Sequence, residues 1–150
     1  MPHRVAKMGA VLVAALLLAG ADRAPAALQG TWIFDAEKMI ELQLRNEDGY
    51  KKASLEERRR MEEYFRTTAA TAAITFSGDR IRFRFGETEE EAQFRILSRD
   101  GDRWTIESTE RKKDGSSVVE TATIEWADDD HMALATDKDP GEKIYLVRRK

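Results

Sequence analysis

The sequence predicts a mainly β domain: an antiparallel meander of about eight strands, forming a barrel or half-barrel, with a helical insert between the first and second strands. Three features predict it. From Ile74 onward, apolar and polar residues alternate with period two. Turn-forming clusters break that alternation at short, regular spacing, which favours antiparallel pairing of neighbours. Before it, at about residues 36–71, the apolar residues instead recur with helical spacing.

The first segment reads as an export signal. Arg4 and Lys7 give a positive start, Met8 to Ala21 is an uninterrupted run of apolar and small residues, and Ala24-Pro25-Ala26 follows. A basic start, about 7–15 apolar residues and an A-x-A site make up the secretory pattern. The run is shorter than the roughly 17–25 residues of a spanning helix. Cleavage after Ala26 is preferred, with Ala19-Gly20-Ala21 as the other site. It leaves a domain of residues 27–150, with no transmembrane helix and with His131 as its one histidine. It also removes Arg4, Lys7, Arg23 and Asp22, so the mature chain is more acidic than the net −3 of the whole. The expected location is periplasmic or secreted.

The elements then follow in order. Leu28 to Asp35 is a short strand led by Gly30, with Trp32 and Phe34 on one face. Asp35 caps a helix holding Met39, Ile40, Leu42 and Leu44, which Asn46-Glu47-Asp48-Gly49 ends as a turn. Ser54 and Glu57 form a capping box opening a second helix that runs to about Ala70. Its apolar stripe is Met61, Phe65 and Ala69, flanked by Leu55, Tyr64 and Thr68. Arg58, Arg59, Glu62, Glu63 and Arg66 make up a solvated opposite face.

Next come the strands. Ile74 and Phe76 turn at Ser77-Gly78-Asp79 into Arg80 to Phe85, where arginines alternate with Ile81, Phe83 and Phe85. The apolar set faces the core, and the arginine row pairs across strands with the acidic segment Glu87 to Glu91. Ala92, Phe94 and Ile96 mark another strand, and Trp104, Ile106 and Ser108 the next. Val118 to Trp126 follows the Asp114-Gly115 turn, and Met132 and Leu134 follow Asp128-Asp129-Asp130. Ile144, Leu146 and Arg148 close the chain after Pro140-Gly141.

Gly30-Thr31-Trp32 and the terminal Leu146-Val147-Arg148-Arg149 resemble the Gly-x-Trp strand and the last strand of lipocalins and related small β-barrels. The layout is also similar to small bacterial exported proteins with a lipocalin-like (calycin-type) domain. The resemblance implies that Gly30, Trp32 and Arg148 are structural, with the arginine packed over the tryptophan at the closed end. Such a cation–π contact is worth about 0.5–2 kcal/mol. The chain differs from lipocalins in placing its helices after the first strand and in lacking cysteine.

Composition narrows the function. The chain has 150 residues, one domain's worth, with 41% hydrophobic and 35% charged residues. The absence of cysteine removes disulfides, thiolate zinc sites, a cysteine nucleophile and a lipoprotein anchor. A basic excess for nucleic acid is missing, and Phe83 and Phe85 point away from Arg80, Arg82 and Arg84, so no stacking platform forms. His131 after three aspartates reads as a hairpin tip. Nothing singles out a carboxylate pair among Glu107, Glu110, Glu120 and Glu125. No catalytic residue, metal site or cofactor is expected.

The expected function is binding of a small apolar or amphipathic molecule or an envelope component. Trp104, Trp126 and Glu120 are the candidate ligand-contacting residues. Glu120 shares inward parity with Ala122 and Ile124. It therefore pairs with Arg148, reads a polar ligand, or sits in water at the barrel mouth. The first alternative is a structural or interaction module with a filled core, docking through its helical insert; the second, ranked below it, is an enzyme of unrecognised type.

Overall fold

A computed structural model describes residues 26–150; the proposed export signal, apart from Ala26, lies outside them. The strands are β1 (Gly30–Phe34), β2 (Ala72–Ser77), β3 (Arg80–Phe85), β4 (Thr88–Asp100), β5 (Arg103–Arg111), β6 (Ser117–Asp128), β7 (His131–Thr136) and β8 (Ile144–Arg148). Each pairs antiparallel with its successor, and β8 returns to pair with β1 through Trp32↔Arg148 and Phe34↔Leu146. The barrel is therefore closed rather than half-closed, and each described strand has a hydrogen-bonded neighbour on both sides. Between β1 and β2 lie α1 (Ala36–Leu42), a 3₁₀ turn (Leu44–Asn46), α2 (Asp48–Lys52) and α3 (Leu55–Ala70).

The antiparallel order gives the barrel two distinct ends. The β2–β3, β4–β5 and β6–β7 hairpins turn at one end, beside the start of β1 and the finish of β8. The β3–β4, β5–β6 and β7–β8 connections and the helical insert lie at the other. The first end is packed solid. Trp32, Ile74, Phe76, Ile124 and Leu146 are all fully buried. Trp126 meets Trp32 edge-on at 5.7 Å, and Trp104 meets Trp126 at 5.1 Å.

Arg148 seals this end. Its guanidinium lies 4.4 Å over the Trp32 ring and donates to the carbonyls of Gln29, Ala27 and Asp129. Asp130 faces it at 3.3 Å. The Trp32 indole donates to the Leu28 carbonyl at 3.0 Å, and Leu28 is itself fully buried. Gly30 sits at φ +109°, and a Cβ there would lie 3.7 Å from an Arg148 nitrogen. The close approach of β1 to the guanidinium thus falls on a residue suited to that backbone.

Three expectations need correction. The expected turn at Asn46–Gly49 is instead the end of the 3₁₀ turn and the start of α2. Asp48 in its first turn and Lys51 and Lys52 in its last suit the helix dipole, and Arg58 donates to the carbonyls of Tyr50 and Lys51 at its end. Leu55 and Tyr64 flank the apolar stripe of α3 but are exposed, while Met61 and Phe65 are half-buried and Ala69 is buried. Phe85 faces the lumen side of β3 yet is 54% exposed, because it is the strand's last residue, at the rim.

The polar face of α3 is also not simply solvated. Glu62 accepts from the Tyr50 hydroxyl at 2.6 Å and from Arg45 at 3.1 Å, and its side chain is only 14% exposed. Arg66 bridges Glu37 on α1 at 2.5 Å. The Tyr50 hydroxyl, then Arg45, holds the Glu62 carboxyl below the ordinary value of 4.5, and Arg66 does the same for Glu37. Carboxyls depressed in the folded state stabilise it fully above their unfolded value, and that stability is lost as pH falls through the lowered one. The helical insert should therefore loosen below pH 4.5. Far-UV circular dichroism across an acid titration checks this, and Glu62→Gln should flatten the acid loss.

On the β3–β4 face, the arginine row pairs across strands as the alternation requires. Arg80 meets Glu91 at 3.4 Å, and Arg82 meets both Glu89 and Glu91 at 3.3 Å.

Candidate functional site

The lumen differs at its second end. Alternation along each strand aims Ile81 and Phe83 of β3, Ala92 of β4, Ile106 and Ser108 of β5, Ala122 of β6, Leu134 of β7 and Ile144 of β8 at the same space. They line a cavity of about 130 Å³. Its floor is apolar and buried, since Ile81, Ile106 and Leu134 are each under 5% exposed. Its polar lining sits nearer the rim: Glu90, Glu91, Ser108, Glu110, Glu120 and Thr136.

A second cavity of about 570 Å³ adjoins it, sharing Leu134, Thr136 and Ile144. This one lies between the insert and the β7–β8 connection, with Met39, Gln43 and Asn46 on one side and Asp139 to Lys143 on the other. The Gln43 amide donates to the Lys143 carbonyl and ties the two sides together. The insert thus forms one wall of the space over this end of the barrel.

The three residues expected to contact a ligand do not meet. Glu120 pairs across the sheet with Ser108 at the cavity rim, and Lys138 meets its carboxylate at 3.0 Å. Trp104 and Trp126 lie at the opposite end, beside Trp32. Along β6, at about 3.3 Å per residue, Glu120 and Trp126 are about 20 Å apart. The same separation excludes a Glu120–Arg148 pair. The tryptophans border their own groove of about 210 Å³, with Asp102, Asp128 and Asp129 around it. The Trp104 indole donates to the Gly101 carbonyl at 3.3 Å, and Arg99 lies 4.9 Å over its ring. The Trp126 indole nitrogen is buried and has no hydrogen-bond partner among the described residues.

Glu90 and Glu110 are the rim residues the reading did not single out. The signal was present, because each is an even number of positions from Ala92 or Ile106 and so shares the inward face.

A third cavity, about 330 Å³, lies outside the barrel between α1 and the outer face of β6–β8. Lys143 meets Glu125 there at 2.9 Å and holds its carboxyl below the ordinary value. His131 directs Nδ1 at both Asp128 oxygens, at 2.8 and 2.9 Å, and that hydrogen bond lowers the Asp128 carboxyl. This pair is exposed at the β6–β7 turn. Among the described residues, no three His, Cys, Asp or Glu side chains converge to hold a metal ion, and no helix is long and apolar enough to cross a membrane.

Compared with known proteins, the chain matches no protein-family model, no curated protein and no solved structure.

Proposed function

We propose that the chain is exported after removal of residues 1–26, to the periplasm or the medium, and that its lipocalin-like barrel binds a small apolar or amphipathic molecule or an envelope component. It is a binder rather than an enzyme. The observation that carries this reading is the apolar cavity at the helix-covered end, about 130 Å³ inside the lumen and adjoining the larger space beneath the insert. For scale, an apolar cavity of about 150 Å³ takes a benzene molecule. The inner space therefore suits a ring or a short alkyl segment, and the outer space the rest of the ligand.

Export rests on the basic, apolar and small-residue run of residues 1–26.

The rival reading, docking through the insert, draws on the exposure of Leu55 and Tyr64. At about 100° per residue these lie on opposite sides of α3, so they form no single apolar patch.

A titration with N-phenyl-1-naphthylamine, a neutral apolar dye that brightens in dry surroundings, tests the binding reading. The exported protein should give saturable enhancement at one site. A linear, non-saturating response would count against it.

A further inference from the structure

We infer that the ligand is cationic: a protonated or quaternary amine carried on an apolar chain. This rests on the lumen cavity being the binding site, and it concerns which molecule that site accepts. The apolar floor defines the site, and the charge at its rim selects the occupant.

The barrel separates its charges by face. On the outer face, carboxylates are matched by arginines across the sheet: Glu89 and Glu91 by Arg82, and Glu107 by Arg95 at 2.9 Å. On the inner face at the helix-covered end, the strands present Glu90, Glu110 and Glu120 to the cavity; Glu91, already paired with Arg80 and Arg82, touches its edge, and no lysine or arginine lines it. Glu90 and Glu110 form no ion pair among the described residues. Glu120 has only Lys138, whose side chain is 73% exposed on the β7–β8 connection.

An amphiphile that places its chain against Ile106 and Leu134 brings its head to the level of these carboxylates. A positive head gains from them, and a negative head is repelled. A bare metal ion is a poor match, because the three carboxylates do not converge on one point and the floor offers it nothing. An organic cation uses both features.

The test is displacement of N-phenyl-1-naphthylamine from the exported protein at low salt by three probes with the same short chain, which the inner space can hold: butyltrimethylammonium, 1-butanol and butyl sulfate. The cation should displace the dye at a concentration about tenfold lower than the anion. Glu90→Gln and Glu110→Gln should each narrow that gap by about three- to fivefold, and added salt should do the same. Glu107→Gln, on the outer face, should leave it unchanged. Circular dichroism establishes that each variant folds, and Glu90→Gln alone, at an exposed position, suffices if Glu110→Gln does not.

Equal displacement by all three probes would overturn cation selection and leave the lumen site standing. Preference for butyl sulfate, or a gap indifferent to Glu90 and Glu110, would also overturn it. Failure of the dye to bind would remove both the site and its selectivity.

Discussion

Replacing Trp32 with alanine is expected to cost about 3–5 kcal/mol of folding stability. The indole is fully buried, meets Trp126 edge-on, donates to the Leu28 carbonyl and carries the Arg148 guanidinium on its face. Removing it leaves a void, an unpaired carbonyl and an arginine without its platform at once. A domain's whole stability is about 5–15 kcal/mol, so the variant should lie near the edge of folding. Arg148→Met keeps the length of the chain but loses the ring contact and three carbonyl acceptors. It should cost about 1–3 kcal/mol. Arg149→Met, one position on and exposed, should cost almost nothing. Urea unfolding of the three variants checks the order. A Trp32→Ala loss no larger than that of Arg149→Met would mean that the sealed end does not hold the barrel together.

The largest effect on binding is expected at Ala122. This residue faces the lumen on β6, opposite Thr136 and Ile106, and lines the inner cavity. Ala122→Phe puts a phenyl ring into about 130 Å³ of space. Reporter affinity should fall more than tenfold, while overpacking costs at most about 1–3 kcal/mol of stability. Trp104→Phe, at the far end of the barrel, should leave reporter binding unchanged. The reverse pattern, with Trp104 mattering and Ala122 not, would move the site to the aromatic groove beside Asp102 and Asp128.

Local patterns were legible in the sequence, and long-range ones only in part. The fault-free alternation of Arg80 to Phe85 identified a strand, its faces and its ionic partners, all of which lie within one hairpin. The Ser54 and Glu57 capping box marked the start of α3 because both partners lie within one helical turn. Strand periodicity left a barrel and a half-barrel open, since Trp32↔Arg148 joins the two ends of the domain and depends on the twist accumulated over every strand between; only the Gly30-Thr31-Trp32 and Arg148 resemblance anticipated that contact. Parity likewise placed Trp104, Trp126 and Glu120 on the inner face without saying at what height. The register Trp104↔Ile124 and Ser108↔Glu120 sends them to opposite ends. Glu62 looked solvated because Arg45 and Tyr50, which enclose it, come from other elements of the insert and leave no trace in the pattern of α3.

The most direct test of a ligand-binding lumen is native mass spectrometry of the protein purified gently from the exported fraction of its own host. The account predicts a mass corresponding to residues 27–150 plus a reproducible small-molecule increment, lost on denaturation and missing from Ala122→Phe. The bare polypeptide mass in both proteins, with no increment on the wild type, would contradict it.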